Sequence, residues 1–329
     1  MREPFIVRGS RCWIVGLVAF MPAANHAADL WKPSRPVRLV TANLPGSAPD
    51  VVARLLAANL TEQWAQQVVV DNRAGATGLI AADTVARAAP DGQTLWLNTM
   101  TELISTLQAQ RLMLTKDFAP VSLVASTPFA IVVAGALPVK TLAEWIAYAK
   151  ARPGKLSFGS SGAWGSSHLC MEAINKLAGI EVMHVPYKGS PPVLNDLVAG
   201  RIDAWCPAGP SLPGIMKTGR VRALAVTYAK PTPLAAGLPP VGETLPGFEL
   251  RGWYGLQAPL ATPTHVVSGI NAAVMRAAKH AELSERLHAV GAEPVGSTVE
   301  SFAAFLQGET ARWGKVLKDG GGAVPPSLN

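Results

Sequence analysis

VRLVTANLPGSAPDVVARLL, residues 37–56, decides how this chain is read. The run Val37 to Thr41 is short, apolar and stopped by the turn pair Pro45-Gly46, the pattern of a buried strand. Pro49 then takes the favoured first position of a helix, and Val52, Leu55, Leu56 and Leu60 recur on one face as far as Trp64. The junction carries no Lys, no His, no Cys and no pair of carboxylates. Its use must lie in backbone and shape.

The same alternation continues outward. Val68–Asp71 and Thr94–Asn98 read as strands around a helix at Leu79–Ala88, and this β-α-β-α-β order implies a parallel sheet with helices on both faces. Phe129–Val133 reads as a further strand, and Thr141-Leu-Ala-Glu144 as a capping box opening a helix to Ala151. Leu156–Gly159, Val182–Val185, Ile202–Trp205 and Val221–Thr227 then read as strands, with helices from about Ser167, Pro191 and Ser211 between them. Residues 230–248 are too rich in Pro and Gly for either periodicity and mark a crossover. Beyond them come a strand at Trp253–Gln257, a helix at His265–Lys279, and a second capping box, Ser297 to Glu300, opening a last helix to about Lys318. Two α/β lobes follow, the first discontinuous (33–135 with 250–320) and the second 136–249. Such sheets bind ligands beyond the carboxyl ends of their strands, where helix starts present free N–H groups.

With 329 residues, 49% hydrophobic and 16% charged, the chain can bury a large core, which excludes a disordered body. Net charge is +7, and Arg2, Arg8 and Arg11 against Glu3 leave +5 on the part beyond residue 28. Its Lys and Arg are scattered singly, so no nucleic acid partner is expected. The three arginines precede an apolar stretch, Cys12 to Ala24, of signal-peptide length and too short to span a bilayer. Residues 1–28 therefore read as an export signal cleaved near Ala27 or Ala28, and the mature protein as periplasmic. It keeps Cys170 and Cys206, for which a bridge and two buried free thiols are both compatible readings.

A second junction, SFGSSGAWGSSHLCMEAI at 157–174, again joins strand to helix. Its glycine spacing matches neither a dinucleotide fingerprint, nor a phosphate loop, nor a nucleophile elbow. What remains is a run of serines suited to hydrogen-bonding an anion at a helix start, or a plain loop with a serine cap. The histidines lack metal spacing, and neither a metal nor a cofactor is expected.

Six blocks carry a resemblance in matching order: SRPVRLVTANLPGSAPDVVARLLAANL, VVVDNRAGATGLIAADTVARAAPDGQTL, KDFAPVSLVASTPFAIVV, KLSFGSSGAWGSSHL, VMHVPYKGSPPVLNDLVAGRID and GRVRALAVT. Over roughly 33–320 the chain resembles the Bug-type, TctC-like solute receptors of tripartite tricarboxylate transporters. The resemblance implies a two-lobed Venus flytrap of the type II periplasmic binding class, each lobe a mixed sheet flanked by helices. It implies a monomer without enzymatic activity, which captures a small organic carboxylate between its lobes and delivers it to the membrane components of a tripartite transporter. In that family backbone amides, hydroxyls and waters of one loop per lobe hold the carboxylate.

Carried onto this chain, the ligand residues are Asn43, Leu44, Gly46, Ser47, Ala48, Asn98 and Thr99 in the first lobe. In the second they are Ser160, Ser161, Gly165 and Ser166, with Pro207 and Ala208 from the next loop. The chain departs from the family pattern at Asn43, where an aromatic often packs on the ligand, at Ser47, which replaces a second glycine, and at Pro207, where an Asp often sits. The 72–78 stretch lacks the usual Pro. The alternatives weighed are an exported hydrolase using a serine of 160–167 with His168, and a carboxylate sensor without transport.

Overall fold

The computed structural model describes residues 31–318 and Met1; the expected export signal lies outside the described residues. The opening stretch folds as its pattern requires. Strand β1 (Val37–Thr41) is followed by α1 (Ala48–Trp64), β2 (Val68–Asn72), α2 (Leu79–Ala86) and β3 (Thr94–Thr99). Strand β1 pairs in parallel with both β2 and β3, and burial on both its faces explains why it reads as a continuous apolar run.

Three further strands complete this sheet. They are β4 (Phe118–Pro128), β10 (Arg251–Pro259) and β11 (Glu293–Pro294), in the order β11-β4-β10-β3-β1-β2. Helix α1 buries Val52, Leu56 and Leu60 against one face together with Ile270 and Val274 of α8 (Thr264–Lys279). The other face is covered by α3 (Met100–Ala109) and α10 (Val299–Lys318), whose Phe302 and Leu306 join the second hydrophobic cluster. Both β4 and α3 are additions to the sequence reading, as is α9 (Ala281–Ala289).

The second sheet has the order β7-β6-β8-β5-β9, formed by β5 (Ala130–Ala134), β6 (Leu156–Ser160), β7 (Val182–Pro186), β8 (Ala204–Trp205) and β9 (Val221–Val226). Helices α4 (Leu142–Lys150), α5 (Ser166–Ala178), α6 (Ser190–Val198) and α7 (Leu212–Met216) connect them. Residues 130–134, grouped with the first lobe from sequence, pair here instead. The chain stays extended through Pro128-Phe129, so one apolar run serves both sheets and hides the point of passage.

Two passages join the sheets, and Thr227 binds them. The buried Thr227 hydroxyl accepts from the Phe129 N–H (2.8 Å) and donates to the Leu250 carbonyl (2.7 Å). Its own N–H donates to Phe129 O (2.9 Å), and its carbonyl accepts from Leu250 N–H (3.0 Å).

The capping expectations divide. Thr141 accepts from Glu144 N–H (3.1 Å) as read, but the last helix is capped by Thr298, which accepts from Ser301 N–H (3.2 Å). The Ser297 hydroxyl is instead taken by Leu123 N–H (2.9 Å), because β4 runs alongside it. Cys170 and Cys206, fully buried, form a disulfide across a sequence separation of 36. A bridge of that span removes roughly 3–4 kcal/mol of denatured-state freedom. The C170A/C206A variant should therefore unfold at clearly lower urea concentration than the oxidised wild type; coincident unfolding curves would contradict this.

Candidate functional site

Four helices begin at one place between the sheets. The starts of α1 and α3 come from the first lobe, those of α5 and α6 from the second, each just beyond the carboxyl end of a strand. Unpaired N–H groups and aligned peptide dipoles make such starts favourable for an anion, by about 0.3–1 kcal/mol each when exposed. A cleft of about 720 Å³ lies there, lined by Asn43 and Leu44, the 74–78 turn, Thr101, Glu102, Ser161 and the loop Tyr187-Lys188-Gly189. A smaller cavity of about 50 Å³ adjoins it, touched by Asn43, Thr99, Thr101, Thr127, Ser161, Ser166 and Tyr254. Glu102 and Lys188 are the charged residues lining either one.

The first loop is held from inside. Gly46 takes the left-handed conformation (φ +80°) that lets the chain turn into α1, and its N–H donates to Asp50 Oδ2 (2.9 Å). Asp50 also accepts from Arg54 Nε (2.9 Å) and Asn72 Nδ2 (2.9 Å). Burial alone would raise its pKa, but the bonds from Arg54, Gly46 and Asn72 outweigh that and lower it. Ser47 is fully buried and donates to Leu44 O (2.6 Å); Ala48 is buried too. Of the first-loop residues chosen from sequence, then, Asn43 and Leu44 line the cleft, while Gly46, Ser47 and Ala48 shape the turn behind them.

Asn98 does not reach either cavity. It is buried in the sheet, where its Nδ2 donates to Gln257 Oε1 of β10 (2.8 Å). Thr99, one residue on, caps α3: its hydroxyl accepts from Thr101 N–H (3.1 Å), and its N–H donates to Glu102 Oε2 (2.7 Å). This reciprocal Thr-x-x-Glu box went unread in the sequence, although its spacing was the available signal for α3, Thr101 and Glu102. Burial raises the Glu102 pKa against the opposing bonds from Thr99 and Asn43.

In the second lobe Ser161 lines both cavities and Ser166 the smaller one. Across the gap the Thr101 hydroxyl bonds Ser166 Oγ (3.1 Å) and accepts from Ser166 N–H (3.1 Å), so a first-turn donor of α5 is used to join the lobes. Gly165 sits buried beneath this contact, where a Cβ would come within 3.2 Å of Gly162 O. Pro207 and Ala208 lie at the passage instead: Pro207 O accepts from Ala130 N–H (3.0 Å), and Ala208 bridges Phe129.

Ser160 is fully buried, with its hydroxyl 2.6 Å from His184 Nε2 and 2.9 Å from Gly162 O. His184 stacks on His168 (centroids 3.8 Å apart) and on Phe158 (5.0 Å). Trp164 N–H donates to His168 Nδ1 (3.0 Å), so this aromatic pile holds up the loop facing the cleft. Desolvation first, and the neighbouring His168 second, push the His184 pKa down to about 4. Among the described residues no carboxylate is hydrogen-bonded to His184, and a nucleophile needs access that Ser160 lacks. The hydrolase alternative, a serine of 160–167 working with His168, finds no support in the geometry either: His168 Nδ1 is taken by the Trp164 N–H, and among the described residues no serine hydroxyl is hydrogen-bonded to His168. No group of three or more His, Cys, Asp or Glu able to hold a metal occurs among the described residues.

Two α/β sheets joined by two passages, with helix starts meeting in a cleft between them, define a two-lobed binding protein. Residues 52–321 match the model of the tripartite tricarboxylate transporter family receptor, and the chain belongs to that family. A protein of Pseudomonas sp. (strain P51), named for the tcbD-tcbE intergenic region, is 37% identical over 315 residues, 94% of each chain. An R. palustris protein solved with adipate superposes with a TM-score of 0.82 at 36% identity, covering 88% of this chain and 98% of that one. MatC from Rhodopseudomonas palustris with bound malate gives 0.80 at 31%, covering 87% and 99%.

Replacing Thr101 by Val removes the hydroxyl shared with Ser166, a loss of about 1 kcal/mol that shifts the lobe equilibrium roughly fivefold toward separation. Small-angle scattering of the ligand-free variant should show a larger radius of gyration than wild type. His184 gives a second expectation. Its folded pKa lies below the ordinary value of 6.5, so the folded state binds fewer protons and its stability falls as pH drops from about 6.5 toward 4. In His184→Phe, which keeps the stack, thermal melts across that range should lose part of the decline; an unchanged slope would refute the assignment.

Proposed function

We propose that the protein is a monomeric periplasmic receptor that captures a small organic carboxylate between its lobes and delivers it to the membrane components of a tripartite transporter. One observation carries this reading: four helix starts from two lobes, at Pro49, Thr101, Ser166 and Ser190, meet around the cavity of about 50 Å³ that adjoins the cleft of about 720 Å³, and Glu102 and Lys188 are the charged residues lining either one. An anion there finds oriented N–H groups and hydroxyls instead of a competing salt bridge. Relatives solved with adipate and with malate support the ligand class. The family and the N-terminal arginine, apolar and small-residue pattern support the location.

In this reading Asn43, Leu44, Thr99, Thr101, Ser161 and Ser166 meet the ligand. Gly46, Ser47, Ala48, Ser160 and Gly165 fix the loops that present them, while Asn98, Pro207 and Ala208 belong to the frame. The lobes divide where the strands change sheet, 31–129 with 251–318 against 130–250. Closure around the ligand couples the two loops.

Native mass spectrometry of the protein as purified, followed by thermal shift with a panel of mono-, di- and tricarboxylates, tests the reading. Retention of an acid, a raised melting temperature and a compacted scattering profile are expected. Ser161→Ala should weaken binding several-fold, in line with about 1 kcal/mol for a neutral hydrogen bond. Chemical turnover of the acid, or no shift with any member of the panel, would sink it.

A further inference from the structure

Glu102 is a carboxyl group set in the wall of a cleft that, on the reading above, receives a carboxylate. It is 2% exposed and lines the cleft. Its two oxygens are unequally satisfied. Oε2 accepts the Thr99 N–H at 2.7 Å and is hydrogen-bonded to the Thr99 hydroxyl, whereas Oε1 has a single long contact, Asn43 Nδ2 at 3.4 Å. Its position is tightly fitted, since a Cβ on Gly78, whose φ is +99°, would fall 2.5 Å from Glu102 Cγ.

Among the described residues no cation neutralises it. Glu102 forms no ion pair among them, and α2 and α10, packed beside α3, give it none. Lys188 lines the cleft from the opposite lobe, exposed to solvent. Strand β10 contributes Tyr254, a neutral group that is also buried and has no hydrogen-bond partner for its hydroxyl. An ionised Glu102 would thus face a bound carboxylate across a desolvated gap, where like charges repel strongly. A protonated Glu102 removes the repulsion and turns the poorly satisfied Oε1 into a donor, and its burial favours that state.

We propose that Glu102 holds a proton on Oε1 when the cleft is occupied and donates it in a hydrogen bond to a carboxylate of the ligand, so that capture of the acid is coupled to proton uptake. Glu102 then selects as well as binds. It favours acids whose carboxylate can reach α3 and gives the receptor tighter binding on the acidic side of its working range. The proposal rests on the carboxylate-receptor reading but can fail while that reading stands.

Isothermal titration calorimetry of the full mature chain with adipate, malate and the other mono- and dicarboxylates of the panel, between about pH 7 and 8.5, decides it, because these acids are ionised throughout that range. Wild-type affinity should fall with rising pH, by as much as about tenfold per unit, and heats in buffers of different ionisation enthalpy should reveal net proton uptake. E102Q, whose side-chain amide is a permanent donor, should show no such slope or uptake and should bind more tightly than wild type at about pH 8.5. A wild-type affinity independent of pH without proton uptake overturns the proposal and needs no variant. So does E102Q binding that is weaker throughout, which would make Glu102 an ionised acceptor for a hydroxyl or ammonium group. Absence of binding by the wild type to every acid at every pH overturns the receptor reading and this proposal together.

Discussion

Everything about the cleft depends on where the chain passes between the two sheets, and Thr227 fixes both passages. Its side chain and backbone bond Phe129 on the outgoing strand and Leu250 on the returning one. A buried backbone N–H or carbonyl left without a partner costs about 1–3 kcal/mol, so the passages stay in register at this residue. Thr127, donating to Gly291 O (2.7 Å), locks the outgoing strand to the far side of the first lobe. The passages between the lobes are thus tied by hydrogen bonds on both strands.

With the passages fixed, the two strand–helix junctions are forced to face each other. The first is rigid because Asp50 satisfies its loop and helix from within; the second because the His168, His184 and Phe158 rings stack beneath it. Preorganised dipoles and hydroxyls need no rearrangement to receive an anion, whereas flexible lysines or arginines would lose rotamer freedom on binding. With so little charge in the cleft, Glu102 is the one carboxyl among the described residues that line it, and the proposed selectivity rests on that group.

Much of the fold was legible in the sequence. The strands at 37–41, 68–72 and 94–99 and the helices between them declared themselves by period and turn residues, because each buries one clear apolar face. Helix α3 did not. Its buried positions include Glu102, Ser105 and Thr106, so an apolar stripe is missing just where the helix approaches the cleft. Strand β4 was obscured for the converse reason: its 11 residues run on into β5 without a turn, and no local signal marks a change of sheet.

By itself the sequence determined the alternation of strands and helices, the two charge-poor junctions and the family to which they belong. These are local properties, written in spacing, turn chemistry and composition. The tertiary structure alone decided which residues meet. Thr101 lies 65 positions from Ser166 and bonds it, Cys170 bridges to Cys206, and Glu102 comes to rest in the cleft while Asn98 turns into the sheet. Long-range pairing is set by strand order and by the direction each side chain leaves its strand or helix, and a one-residue step reverses that direction in a strand.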